Sequence, residues 1–461
     1  MSMIWVDHSE YDDEVMQSVG YYHHTDAPLV DPPCMICGVS FNIRRHRAAG
    51  EPSSAAFFSH ARVGPGEYPG SQKCVQPDCH SIPSPRNLGS EHISGPSCRS
   101  TNAYHGSRIS VEAMRECSTY QCLLIRKKSW NPPESELEDF EKQGRYALSG
   151  LGDAMESDRR RYDAQVFPAR NNVHYSRSDI RFLDMAFHPA CFEVYKRASI
   201  YRYGFVNTNA LVSWGQLRKG PKFKLPEHAA VKRASRTHWV HHAGDEFLAA
   251  NPCFIPGLQD ILDSVQDVCT PGDICSEATY PAPNSTDIFS KFPQEIKLEI
   301  LLQLDSWDIA NLRLSSRTFR HLPQSLFYHL TLRELPWLYE AWSSLPLSFF
   351  VTTTAAEQRR LGKPLYDIQE QLWERREDDN GSEDDAAEIS RLVGLAAQLE
   401  ERQRQGYATT PVRMLDRRST NWTHLRGELT RRWAELPGLR NRRKIWNNCQ
   451  EIMDRAETIP Y

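Results

Sequence analysis

Asp287-Ile-Phe-Ser-Lys-Phe292-Pro293-Gln-Glu295-Ile296-Lys-Leu298-Glu-Ile300-Leu301-Leu302-Gln-Leu304-Asp305-Ser-Trp307-Asp308-Ile309-Ala-Asn-Leu312-Arg-Leu314-Ser-Ser-Arg317-Thr-Phe319-Arg320-His-Leu322 carries the sharpest structural signal in this chain. Its periodicity is helical, in three pieces. Pro293 suits a first helical turn, where its missing donor would be unpaired anyway, and Glu295 follows where the helix dipole favours an anion. Ile296, Ile300 and Leu304 recur at four-residue steps. Leu298, Leu301 and Leu302 widen that stripe, so the helix must be covered on more than one side. Asp305, with Asp308 three residues on, marks a new N-terminus of capping-box type, and Leu312, Leu314, Phe319 and Leu322 continue the apolar faces. A unit of about 40 residues this apolar needs a partner surface.

The order Phe292-Pro293-x-Glu295-Ile296, Ile300-Leu301-x-x-Leu304, then Asp308-Ile309-x-x-Leu312-Arg313-x-x-Ser316-Arg317-x-Phe319-Arg320 resembles the F-box. One departure is Phe292, where leucine is usual. The resemblance implies a three-helix module that docks on the Skp-type adaptor of a Skp-cullin-F-box ubiquitin ligase and through it reaches the cullin scaffold. The rest of the chain would select an unidentified protein substrate. By position, Phe292, Pro293, Glu295, Ile296, Ile300, Leu301, Leu304, Ile309 and Leu312 would form the partner-binding set, several of them shared with the module's own core.

In the N-terminal half, Cys34-Met-Ile-Cys37-Gly38 is a two-residue knuckle that aims two thiolates at one point, with glycine allowing the tight backbone that follows. His188-Pro-Ala-Cys191 supplies a second pair at a helix start, where the dipole favours thiolate. Together Cys34, Cys37, His188 and Cys191 make a Cys3His tetrahedron of structural zinc type, resembling a treble-clef finger with residues 38–187 as a large insertion. Cys74, Cys79, His80, His92, Cys98, Cys117 and Cys122 fall inside that insertion without the short spacing of a firm ligand pair, so the sequence leaves a second metal site open. The succession of the Cys34 knuckle, Gly95-Pro-Ser-Cys98, Phe187-His-Pro-Ala-Cys191-Phe-Glu and Pro252-Cys-Phe-Ile-Pro256, ahead of the F-box-like stretch, is similar to a group of fungal F-box proteins.

The bounds are consistent with this reading. At ~150 residues per domain, 461 residues make roughly three domains. Lys plus Arg is 55 against 59 for Asp plus Glu, a net charge of -4, which disfavours a polycation made for nucleic acid. Twelve cysteines are too sparse for a small secreted disulfide scaffold. The start, Met-Ser-Met-Ile-Trp and then acids, lacks a secretory h-region, and no run reaches the ~18 apolar residues of a membrane helix. We expect a soluble protein of the cytosol or nucleus.

The expected fold class is α+β and multidomain. It comprises a polar start (1–30), an irregular Cys/His-rich zinc-finger-like domain (31–262), a Ser/Pro/Asp-rich linker (263–286), a three-helix F-box (287–330) and a helical C-terminal region (331–461). A short helix is expected after Ser110, a second from His188 through Ala198, and mostly irregular structure over 205–257. Residues 374–388, net -6, read as an acidic loop. Residues 413–444, net +7, contain Trp422, Leu425, Leu429 and Trp433 at helical steps, and Ile445, Cys449, Ile452 and Met453 repeat the pattern. That basic face motivates an alternative: a zinc-stabilised nucleic-acid or chromatin-binding protein. No nucleophile elbow or phosphate loop appears, and His241-His242 beside Asp245-Glu246 fits a surface turn better than an acid-base site, so a non-catalytic adaptor is expected.

Overall fold

The computed structural model describes residues 33–56, 74–83, 90–125, 137–153, 186–217, 241–266, 287–377, 383–406 and 409–458, with 229 and 231 and without 42, 75, 102 and 143. The polar start and residues 267–286 of the expected linker lie outside them. Two compact units divide the chain: Met1–Phe254, Leu347–Thr410 and Asn441–Tyr461 make the first, Ile255–Pro346 and Pro411–Arg440 the second.

In the first unit, strands Arg45–His46 (β1), His80–Pro83 (β2), Ser90–Ile93 (β3) and Tyr104–His105 (β4) form two small pairs, β1 with β4 parallel and β2 with β3 antiparallel. Thr119–Ile125 (β5) is the longest strand, and Tyr146–Leu148 (β6), Gly152–Asp153 (β7) and Ala186–Phe187 (β8) all pair with it antiparallel. Tyr120, Cys122, Leu123 and Leu124 on β5 are all buried, so this strand is covered on both faces. Among the described residues around these strands much is loop, and a buried guanidinium does there what ladder hydrogen bonds do elsewhere. Arg45, 0% exposed, forks onto Glu51 at 2.9 and 2.7 Å and donates to the carbonyls of Ala55 and Ile109.

Helix Pro189–Tyr203 (α1) begins where the sequence places it, with Pro189 in the first turn. Every residue from Pro189 to Ser199 is buried, charged ones included, because Glu193 pairs with Arg197 and Lys196, and Lys196 reaches Glu138 at 2.6 Å. Thr208–Leu217 (α2) is a full helix inside the region expected to be irregular; its Trp214 is buried and donates Nε1–H to the Met35 carbonyl at 3.1 Å. The helix expected after Ser110 is a run of turns instead. Ser110 Oγ accepts from Ala113 N as an N-cap would, but Glu116 adopts φ 60°, a left-handed conformation that stops propagation.

That Glu116 is half-buried, and burial chiefly pushes its carboxyl up to about 7, reinforced by Asp153 and Glu357 and opposed by Thr119 and Arg115. A carboxyl raised in the folded state stabilises fully below its unfolded pKa of 4.5 and loses that contribution as pH rises through 7. The wild type should therefore weaken relative to Glu116→Gln between these limits, by no more than about 3 kcal/mol, read by chemical denaturation across pH. A stability difference that stays flat over that range refutes the assignment.

The second unit opens with Leu258–Ser264 (α3), followed by Gln294–Gln303 (α4), Ser306–Ser315 (α5) and Gln324–Glu334 (α6). Leu301, Ile309, Phe319, Leu326 and Leu330 form the core of this three-helix module, lined by Phe289, Leu298, Leu302, Leu304, Leu312 and Leu322. The Asp305 carboxylate caps α5 by accepting from Asp308 N at 2.8 Å, as the sequence anticipates. Asp287 pins the module's start to its third segment, accepting from Phe289 N, Ser316 Oγ and both donors of Thr318. Those bonds, Ser316 first, hold its carboxyl down at about 2.

The C-terminal region is not one body. Ala355–Glu377 (α7) and Glu383–Gly406 (α8) pack on each other through Leu365, Ile368, Leu372, Leu392 and Ala396, within the first unit. The acids expected in a loop sit largely at the end of α7 and the start of α8. Acids in a first turn complement the dipole, and Arg375 bridges to Asp385 at 3.3 Å. Trp422–Arg431 (α9) belongs to the second unit and packs on α3 and α6; Trp422 meets Tyr328 with ring centroids 5.0 Å apart. The division falls inside Pro437–Glu457 (α10), after Arg440. Of the two apolar stripes read from the sequence, Trp422, Leu425 and Leu429 are buried on α9 and Ile445, Cys449, Ile452 and Met453 on α10, whereas Trp433 lies past the end of α9 in a short turn and is only half-buried.

Candidate functional site

The knuckle at 34–37 is a tight turn closed by Gly38 N donating to Cys34 O and Cys34 N to Val39 O, both at 2.8 Å. Gly38 has φ +77°, so a side chain there would be strained. The turn also turns amide donors onto the sulfurs: Cys37 N lies 3.5 Å from Cys34 Sγ and Val39 N 3.4 Å from Cys37 Sγ. His188 and Cys191 come from the first turn of α1, and Met35 N donates to Ala186 O at 2.9 Å, placing the knuckle against that helix start. From α10, Lys444 Nζ donates to Cys37 O at 2.5 Å and Asn448 Nδ2 to Ile36 O at 3.0 Å.

All four residues are buried, with ligand atoms within 4.8 Å of one another. A tetrahedral metal with ~2.3 Å bonds to sulfur and ~2.0 Å to nitrogen sets its ligand atoms roughly 3.5–3.8 Å apart. His188 Nδ1 stands 3.5 Å from Cys37 Sγ and 3.7 Å from Cys191 Sγ. His188 Nε2 lies 3.0 Å from the Cys117 carbonyl, a contact that requires the proton on Nε2 and leaves the Nδ1 lone pair facing the sulfurs. As bare side chains the set is electrostatically crowded. Burial raises the Cys34 thiol, but bonds from Cys191 and Cys37 and the charge of His188 outweigh it and hold Cys34 well below the ordinary range. Burial likewise opposes charging His188, and the Cys34 and Cys37 sulfurs override it to about 10. The same crowding sends Cys191 well above its ordinary range. A divalent cation would satisfy all of these at once, and four protein ligands leave no open position for water or substrate.

A second group, Cys74, Cys79, His92 and Cys98, also converges within 4.8 Å. Either group fits a metal ion. Cys117 and Cys122, which the sequence leaves open as ligands, are instead buried thiols raised by desolvation, and His80 is exposed. All ten described cysteines are free thiols. His241 is not on the surface of its turn: it is 2% exposed, its ring lies 4.1 Å from that of Tyr104, and burial lowers it to about 3.

In the helical module, the sequence-derived partner set separates into three groups. Leu301 and Ile309 are 2% and 3% exposed and belong to the module's core, because both lie on the side that meets Phe319 and α6. Ile300, Leu304 and Leu312 are half-buried, while Phe292, Pro293, Glu295 and Ile296 are exposed. Ile288 and Trp307, at 66% and 75%, are exposed too, and so is Leu314, at 89%, which the sequence reading placed on an apolar face beside Leu312; periodicity alone could not separate these from core positions. Ile288, Phe292, Ile296, Trp307 and Leu314 thus present five large apolar side chains to solvent over 27 positions.

In the basic stretch, six arginines have partners within the fold. Arg413 pairs with Asp263, Arg426 with Glu334, Arg431 with Glu428 and Arg432 with Glu435; Arg417 lies over the Tyr328 ring, and Arg442 donates to Pro252 O. Among the described residues, no helix is long and apolar enough to cross a membrane.

No curated protein and no solved structure matches the chain. The family profile of the F-box domain matches residues 289–330, the segment that folds into α4, α5 and α6 around Leu301, Ile309 and Phe319, so this chain carries an F-box domain.

Proposed function

We propose that this chain is the substrate-recognition subunit of a Skp-cullin-F-box ubiquitin ligase. The observation that carries the reading is the F-box at 289–330 with its exposed apolar side chains. In an isolated chain such a face is exposed at a cost of roughly 25 cal/mol per Å², which a Skp-type adaptor would remove. The chain then acts as a non-catalytic adaptor, with ubiquitin transfer left to other subunits and the first unit free to hold a protein substrate. The Cys34, Cys37, His188 and Cys191 set holds a structural zinc, in the knuckle-plus-helix-start arrangement of a treble clef, and the ten free thiols among the described residues fit the cytosol or nucleus. Nucleic acid is disfavoured because six arginines of 413–444 are paired within the fold.

The test is co-purification with a Skp-type adaptor. Wild type should bind, and Ile296→Asp, at a site 48% exposed, should weaken binding at least 100-fold while leaving the unfolding midpoint nearly unchanged. Wild-type failure to bind, or full binding by the variant, rejects the reading.

A further inference from the structure

Cys74, Cys79, His92 and Cys98 come from segments whose positions are fixed independently of the first group. The β2–β3 hairpin sets Ser81 opposite His92, which brings Cys79, next to the start of β2, alongside the ligands that follow β3. A turn at 76–79 closes through Cys79 N to Gln76 O at 3.1 Å, and another through Cys98 N to Gly95 O at 3.1 Å. The two turns are locked together. Asp78 accepts from Ser97 N at 2.7 Å and from Ser97 Oγ, and Gly95 N lies 3.5 Å from Cys79 Sγ. A Cβ at Gly95 would lie 2.3 Å from the Asp78 carbonyl oxygen, so only glycine lets the turns approach this closely.

The sulfur geometry discriminates between explanations. A disulfide needs two sulfurs ~2.05 Å apart and no third group. Cys74 Sγ and Cys98 Sγ are 3.9 Å apart, Cys98 Sγ and His92 Nε2 3.8 Å, and Cys79 converges on the same point. Those separations lie within about 0.3 Å of the edges of a tetrahedron with ~2.3 Å bonds to sulfur and ~2.0 Å to nitrogen. Inert core thiols would pack against apolar side chains, whereas these converge on each other and on a histidine ring nitrogen. His92 is anchored from behind: its Nδ1 lies 3.1 Å from Nδ1 of His46 on β1.

We propose that Cys74, Cys79, His92 and Cys98 bind a second structural zinc ion through His92 Nε2 and three thiolates, with His46 as the positioning residue that accepts the His92 Nδ1 proton. This site ties the β2–β3 hairpin to the β1–β4 pair. Two of its thiols, Cys74 and Cys79, are half-exposed, so it exchanges metal faster than the fully buried first site. The inference stands apart from the ligase reading, since adaptor binding reports on the F-box and metal content on the first unit.

Elemental analysis of the full chain, purified under reducing conditions, should give two zinc per chain, and a chromogenic chelator should remove one fast and one slowly. Cys74→Ser and Cys98→Ser should each lower the count to one and abolish the fast phase; Cys74→Ser serves where Cys98→Ser does not fold. Cobalt substitution of wild type should show sulfur-to-cobalt charge-transfer bands with the intensity of six thiolates per chain. His46→Ala should keep two ions at saturating zinc but speed the fast phase 10–100-fold, with His46→Gln restoring it in part. A wild-type count of one that neither cysteine variant changes overturns the proposal, as does a Cys74–Cys98 disulfide recovered by mass spectrometry from the reduced preparation.

Discussion

Replacing Cys191 with serine will leave the first unit without a cooperative unfolding transition. Cys191 is 3% exposed, lies 3.7 Å from His188 Nδ1, and sits where the knuckle meets α1. Structural zinc contributes about 10–16 kcal/mol in small finger domains, comparable to or larger than the ~5–15 kcal/mol stability of a whole domain. With the zinc proposed above in place, losing one of its four ligands forfeits much of that and leaves three ligand side chains buried and unbalanced. The readout is the environment of Trp214, whose indole is held by the Met35 carbonyl beside the knuckle. Near-ultraviolet dichroism from it should collapse in Cys191→Ser and in wild type treated with a strong chelator. A variant that melts within about 2 °C of wild type removes the metal from the account of this unit's stability, since even 1 kcal/mol shifts a domain of this size by ~2–4 °C.

Trp422→Ala will unfold the second unit, F-box included, at temperatures where the first persists. Trp422 is fully buried, stacks edge-on against Tyr328 of α6, and donates Nε1–H to the Arg417 carbonyl at 3.0 Å. Large-to-small replacement of a buried tryptophan costs about 3–5 kcal/mol, and here a carbonyl also loses its donor. The residue lies some 90 positions beyond the F-box, so adaptor binding should fall in parallel with helicity even though no F-box side chain is altered. Adaptor binding that survives while α9 melts would show the module to be self-sufficient.

What the sequence makes legible follows how local each signal is. Asp305 capping α5, and the apolar steps of α4, are set by neighbours three and four residues away, and both can be read directly. The Cys34–Cys37 knuckle and the His188–Cys191 helix start are each local as well, and joining them needs only the tetrahedral preference of a metal. The second group resists reading because Cys74 and Cys79 are five apart and His92 and Cys98 six, and only the register of β2 against β3 brings them together. Periodicity says that Leu301 and Ile296 both belong to an amphipathic helix, but not which faces the module's core. It likewise says that α9 and α10 each bury a stripe without naming the surface that covers it, which is why one helical C-terminal region reads from the sequence where the structure divides the segment between two units.

Asn448 on α10 donates to the carbonyl of Ile36, a hydrogen bond that spans 412 positions of chain. During synthesis at ~5–20 residues per second the knuckle therefore leaves the ribosome roughly 20–80 s before the helix that seals it. Through that interval two thiols and their exposed turn must stay reduced and unaggregated with no lid. Nascent-chain truncations that stop short of residue 448 should stay sensitive to protease at the knuckle, and full-length chains should not.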